Sequence, residues 1–64
     1  MNGVRLRQLR EDRGLTRKEV EQATGIDRVA LYRYETNTVT NPPVVTVAAL
    51  AKFYGVAIEE LLEE

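Results

Sequence analysis

The 64-residue sequence predicts an all-α domain of five short helices, and three observations lead there. Apolar residues recur at spacings of three and four, the repeat of a helix with one buried face. Glycines stand at 14, 25 and 55, each just past an apolar-periodic segment, where a helix end favours a residue that tolerates a left-handed backbone. Capping side chains precede several of the same segments. No stretch reads as a strand.

The elements follow in order. Asn2 can cap a first helix whose Leu6 and Leu9 face inward and which stops at Gly14. Residues 16 to 19 (TRKE) have capping-box spacing: the Thr16 hydroxyl accepts from the Glu19 N–H, and the Glu19 carboxylate reaches back. Leu15 and Val20 flank that box as a hydrophobic staple, and the second helix runs to Thr24. Asp27 caps a third helix, with Ile26 and Leu31 as a second staple. Only Gly25 and Ile26 separate stop from cap, so the two helices cannot lie antiparallel. They must cross steeply, as a helix-turn-helix over about residues 16–35.

Asn41-Pro42-Pro43 opens a fourth helix, with proline tolerated in a first turn whose N–H groups lack partners. Val44, Val47, Leu50, Ala51 and Tyr54 form its apolar stripe, and Gly55 ends it. Val56, Ile58, Leu61 and Leu62 make a fifth helix with Glu59 and Glu60 in the first turn, where the dipole favours anions. Ala57 offers no capping acceptor, so that helix should fray most easily.

Composition bounds the function. A domain this small buries only about 60% of the surface its unfolded chain exposes, so efficient helix packing or a partner must stabilise it. Cysteine and histidine are both absent, which removes disulfides and any Cys/His metal set; neither metal nor cofactor is expected. Without histidine, cysteine or a Gly-rich phosphate loop, an enzyme is not expected either. No apolar run approaches the ~20 residues that span a bilayer, and no signal-peptide core leads the chain, so a soluble, cytoplasmic protein is expected. No linker or repeat divides it. A single domain over residues 1–64 is expected, with Glu63-Glu64 following a complete fifth helix, and whether the natural protein is longer is not legible.

The net charge of −1 hides an asymmetry: residues 1–33 carry +3 and residues 34–64 carry −4. A polyanionic partner therefore requires a local basic patch, and within a Debye length that patch is what the partner feels.

LRQLREDRGLT (6–16), Val20, the Gly25-Ile26 turn, Leu31, Tyr34-Glu35, Asn41-Pro42 and LAKFYGVAIEELL (50–62) together resemble the phage repressor and Cro type helix-turn-helix family. No single element is specific; their order and spacing are, and they cover the chain from Leu6 to Leu62. The resemblance implies a lambda-repressor-like fold whose third helix enters the major groove of double-stranded DNA, with homodimers reading two half-sites. Three positions depart from the pattern. Glu21 stands where the family usually places alanine, so it must snorkel outward or open the helix crossing. Arg17 replaces a common glutamine, and Thr36-Asn37-Thr38 stands where a glycine with basic neighbours is usual.

With Leu31 and Tyr34 inward, helical geometry turns Val29, Tyr32 and Arg33 outward and leaves Arg28 at the exposed leading end. Arginine pairs bidentately with guanine, and Val29 suits a thymine methyl, so these four are the expected base readers. A solvated face with one stray aromatic is the bland alternative, and for Tyr32 alone it is preferable. The resemblance gives Arg17 a phosphate contact and makes Asn37 and Thr38 positioning contacts that fix register without reading sequence. It also pairs Arg10 with Glu35 as a structural ion pair. Arg5, Arg7 and Arg13 are expected to be solubilising surface.

Phe53, Val45, Ala48, Ile58 and Leu62 exceed what one narrow core accommodates, so an exposed patch is expected. Phe53, Ile58 and Leu62 are the expected dimer interface. Two function classes stand: a DNA-binding transcriptional regulator, most simply a repressor, and a protein-interaction module such as an antitoxin that neutralises a protein partner. The operator, the direction of regulation and any effector are not legible.

Overall fold

The computed structural model describes residues 1–63, and Glu64 of the expected 1–64 domain lies outside the described residues. Five helices form: α1 (Gly3–Asp12), α2 (Arg17–Thr24), α3 (Arg28–Glu35), α4 (Val44–Tyr54) and α5 (Ile58–Leu62), with no strand among the described residues. This is the lambda-repressor-like all-α arrangement, with α3 packed on both α1 and α2, and with α4 on α2 and α5.

Local chemistry sets the boundaries. Asn2 Oδ1 accepts the Arg5 N–H at 3.0 Å. The capping box at α2 is complete, and the Glu19 carboxyl is held below the usual carboxylate range by the Thr16 N–H and then by its hydroxyl. Asp27 accepts the Val29 N–H at 3.0 Å. Gly25 ends α2 at φ 77°, a left-handed conformation, while its N–H returns to the Glu21 carbonyl at 2.8 Å. The elbow needs that sign of φ, which costs a side-chain-bearing residue about 1–2 kcal/mol.

Two boundaries differ from expectation. Helix α4 starts at Val44, after both prolines, with Pro43 as a cap that supplies no side-chain hydrogen bond. The residue before a proline is pushed out of helical geometry, so Pro43 keeps Pro42 out of the helix, and Pro43 itself caps it with an extended ψ of 144°. Val56 precedes α5 rather than joining it, while Ala57 provides no cap hydrogen bond.

The core draws one fully buried side chain from every helix: Leu6, Val20, Leu31, Leu50 and Leu61. Each such aliphatic side chain contributes about 1.5–3 kcal/mol when removed from water. Leu9, Tyr34, Val47, Ala51 and Tyr54 complete it, together with Met1. The Met1 ammonium donates to the Thr40 carbonyl at 2.8 Å, and the Asn2 N–H donates to the Leu61 carbonyl at 2.7 Å. Val44, expected in the stripe of α4, is instead 76% exposed, because the helix begins there and its first residue overhangs the core.

Arg13 is not the free surface cation expected from sequence. Nη1 donates to the Leu9 carbonyl at 2.9 Å and Nη2 to the Tyr54 carbonyl at 2.7 Å, tying the end of α1 to the end of α4. Its guanidinium also lies 5.3 Å from the Tyr54 ring centroid. Arg5 is likewise engaged, with Nη2 2.9 Å from Glu60 Oε2. Among the described residues Arg7 pairs only with Glu11 at an exposed site one helical turn away, where such contacts contribute about 0.3–0.5 kcal/mol.

Burial pushes the Tyr54 phenol up to about 12, with Glu35 adding to the shift and Arg10 and Arg13 opposing it. A phenol that holds its proton more tightly when folded stabilises the domain fully below the unfolded value, and that contribution is lost as pH rises through the folded value. Stability is therefore expected to fall between about pH 10 and 12. Urea melts across that range test it, and Tyr54→Phe should lose this alkaline step. An unchanged slope in Tyr54→Phe contradicts the assignment.

Candidate nucleic-acid interface

Helix α3 has two faces with opposite fates. Leu31, Tyr34 and Glu35 are buried, whereas Val29 and Tyr32 on the other side are 52% and 53% exposed. Arg28 and Arg33 are exposed on that outer side as well. Arg33 forms no ion pair among the described residues. The four expected base readers thus lie on the exposed side of α3, where only the α2 side chains of Arg17, beside Tyr32, and Glu21, beside Arg28, reach them among the described residues.

Three ion pairs clamp α3, to α1 and α2 at its C-terminal end and to α2 at its N-terminal end. At the C-terminal end, Glu35 is buried to 1% side-chain exposure between two arginines. Arg10 grips it twice, Nε to Oε2 at 2.9 Å and Nη2 to Oε1 at 3.1 Å, while Nη1 holds the Leu15 carbonyl at 2.7 Å. The Glu35 hydrogen bond, against the cost of burial, holds the Arg10 guanidinium even above its usual high value. Arg17 Nε adds a third contact, to Oε1 at 3.1 Å. At the N-terminal end, Glu21 accepts the Arg28 N–H at 3.0 Å and pairs with Arg28 Nε at 3.3 Å.

Arg17 therefore differs from its expected position. Its guanidinium turns toward Glu35 and lies 5.0 Å from the Tyr32 ring centroid, with 28% of the side chain exposed. The buried carboxylate is the anion it pairs with, which the phosphate expectation did not take into account. The Arg17 and Lys18 N–H groups at the start of α2 have no protein acceptor among the described residues. That leaves an electropositive helix end beside the outer face of α3.

Asn37 also has a task inside the fold. It takes a left-handed conformation at φ 57°, and its Oδ1 accepts the Gly3 N–H at 3.2 Å. Only its amide nitrogen is left as a side-chain donor for an outside group. The N–H groups of residues 36 to 39 all donate to carbonyls of α3, so the loop backbone is consumed as well. Thr36 and Thr38 share a hydroxyl contact of 2.9 Å at the surface. Thr36 spends its hydroxyl proton on the Tyr32 carbonyl at 2.8 Å, so what residues 36 to 39 can still donate to a phosphate is the Thr38 hydroxyl and the Asn37 amide nitrogen.

Of the expected interface residues elsewhere, Leu62 is 53% exposed and Phe53 36%, with the Phe53 ring edge-on to Tyr54 at 5.0 Å. Ile58 is partly buried against the core and is less free for a second copy. Val45 is 78% exposed at the start of α4, beside Val44.

Sequence reasoning missed two residues that shape this surface. Gly3 lies so close to the end of α3 that a Cβ there would collide with the Tyr34 carbonyl, and would also meet the Glu35 carbonyl and Asn37 Oδ1 at 2.8 Å. A glycine inside the first turn of a well-capped helix, where propensity disfavours it, was the available signal. Glu21 was read as a packing problem, although its placement seven residues before Arg28, across a turn, was the clue to a pair.

A family profile described as a helix-turn-helix domain matches residues 3–64, and the chain belongs to that family, in its phage repressor and Cro type. Over all 64 residues the chain is 40% identical to the cryptic phage CTXphi transcriptional repressor RstR of Vibrio cholerae, covering 57% of that protein. It is 41% identical over 59 residues, 92% of its length, to the HTH-type transcriptional regulator DdrOP3 of Deinococcus deserti, of which it covers 45%. A third match, at 33% identity over 58 residues, covers 5% of a glutamine–fructose-6-phosphate aminotransferase of Methanocaldococcus jannaschii. The chain thus spans about half the length of the first two relatives and a small segment of the third. The family is non-enzymatic, and a segment that short transfers no catalytic role. No solved structure matches the chain. Among the described residues, no helix is long and apolar enough to cross a membrane.

Proposed function

We propose that this chain is a sequence-specific, double-stranded DNA-binding transcriptional regulator. It acts as a repressor that lays α3 in the major groove of a palindromic operator, as a dimer. The observation that carries this reading is the outward face of α3, where Arg28, Val29, Tyr32 and Arg33 stand clear of the core while the opposite face is clamped. The names of two relatives, a transcriptional repressor and a transcriptional regulator, support the same class.

Each residue has a role in that reading. Arg28 and Arg33 take guanine edges, Val29 packs on a thymine methyl, and Tyr32 fills the groove between them. Thr38, the Asn37 amide nitrogen and the open N–H groups at α2 hold phosphates and fix register. Arg17 lends its positive field and reaches a phosphate with the guanidinium nitrogens that Glu35 leaves unused.

A dimer follows from size. The domain extends only 24 × 22 × 19 Å, whereas the two recognition helices on a palindrome sit about 34 Å apart. Phe53 and Leu62 offer the apolar contact, with Ile58 supporting them from the core side. Sedimentation of the chain with its operator should give two copies per duplex; one copy on a full operator rules out the dimer.

The central test is salt dependence on duplex DNA. Log affinity is expected to fall linearly with log salt, at about −0.9 per phosphate contacted. Arg33→Ala is expected to weaken operator binding by about 1–3 kcal/mol and to relax preference at one base position. Because Arg33 has no ion pair among the described residues, its loss should leave the melting curve unchanged. A second reading, a protein-interaction module such as an antitoxin, rests on the exposed Val44 and Val45 at the start of α4. A flat salt response with an intact fold selects it.

A further inference from the structure

We infer that Glu21 is a specificity-determining positioning residue: it holds the Arg28 guanidinium by its Nε edge and aims the remaining fork at a guanine. This inference rests on the DNA-reading role of α3 proposed above.

The geometry divides the labour among the atoms. Glu21 Oε2 accepts the Arg28 backbone N–H at 3.0 Å, and Oε1 contacts Arg28 Nε at 3.3 Å. One carboxylate thus fixes both the main chain and the side chain of a single residue. The contact uses Nε and leaves the Nη1 and Nη2 donors uncommitted among the described residues. A guanine offers O6 and N7 to two donors of a guanidinium. Glu21 is anchored by its own partial burial, at 29% side-chain exposure, while Arg28 is 55% exposed, so the less mobile partner lies behind and the fork in front.

An untethered arginine samples many rotamers, and ordering it on DNA costs side-chain entropy. It also finds phosphates as readily as bases. The Glu21 carboxylate reduces both effects: it restricts the side chain before binding, and it repels a phosphate that approaches the same guanidinium from the helix side. Its influence therefore falls on discrimination between sequences, not on total attraction to DNA.

The experiment begins by selecting the preferred duplex of the unaltered protein, then measures affinity for every single-base variant of that site. Glu21→Gln keeps the length and an acceptor for the Arg28 N–H but removes the charge; Glu21→Ala is the second variant should the amide disturb folding. Either change is expected to lower the preference for guanine at one position by about 2- to 5-fold, the range an exposed ion pair can supply. Arg28→Lys should flatten the same position, and the Glu21→Gln/Arg28→Lys double variant should add nothing further there. An equal loss for all sequences, or an unchanged base profile, overturns the positioning role while leaving the DNA reading intact. If the unaltered protein prefers no duplex at all, the DNA reading and this inference fall together.

Discussion

Glu35→Ala is expected to lower the unfolding midpoint of the domain steeply. The substitution removes the one carboxylate that faces both Arg10 and Arg17, and Arg10 cannot escape to water, since only 10% of its side chain is exposed. Breaking a buried pair by deleting one partner costs about 3–5 kcal/mol, because the survivor keeps an uncompensated charge. A chain of this length has a total stability of about 3–10 kcal/mol, so the loss takes from about a third of it to all of it. Arg17→Ala supplies the contrast: it leaves the two-pronged Arg10 contact in place and should cost under about 1 kcal/mol. Urea melts followed by circular dichroism measure both. A Glu35→Ala midpoint close to that of Arg17→Ala contradicts the account.

Gly3→Ala should be the second most damaging change, and it looks harmless from sequence because alanine is the better helix former. The added methyl has no room. It would enter the Tyr34 carbonyl and crowd the Glu35 carbonyl, both main-chain atoms of α3 that cannot rotate aside. Relief requires α1 to lift from the end of α3, which breaks the Gly3-to-Asn37 hydrogen bond and loosens the seat of Leu6. Overpacking of this kind costs about 1–3 kcal/mol, with rigid backbone partners placing Gly3→Ala at the upper end or beyond. Gly14→Ala is the control: its φ of +65° is unfavourable for alanine, yet nothing lies within 4 Å. That variant should lose about 1–2 kcal/mol from backbone strain alone. If Gly3→Ala melts no earlier than Gly14→Ala, the close approach of α1 to α3 is not the constraint described.

The helices were legible because their signals are local. The Thr16/Glu19 box, the Asp27 cap and the left-handed Gly25 act within a few residues, so the spacing of side chains along the chain carries them. The outward set on α3 was legible for the same reason, once Leu31 and Tyr34 fixed which side is inside. What escaped depends on neighbours remote in sequence. Arg13 reaches Tyr54, Asn37 reaches Gly3, and Arg17 reaches Glu35, and nothing in the local pattern distinguishes these from ordinary surface residues. The late start of α4 has another cause: Pro43 bars Pro42 from helical geometry, and Pro43 itself takes an extended ψ of 144° as the cap.

The shared carboxylate at Glu35 also dictates how the sequence can drift. Position 17 is replaceable, because a change there still leaves the anion neutralised by its deeper neighbour. Position 10 has no such understudy: Arg17 contributes a single nitrogen from the rim and does not reach the Leu15 carbonyl that Arg10 also satisfies. Lineages descending from this chain should therefore change the rim arginine, at a cost to DNA contact and not to folding, before the inner one, which is locked in until its acidic partner changes with it.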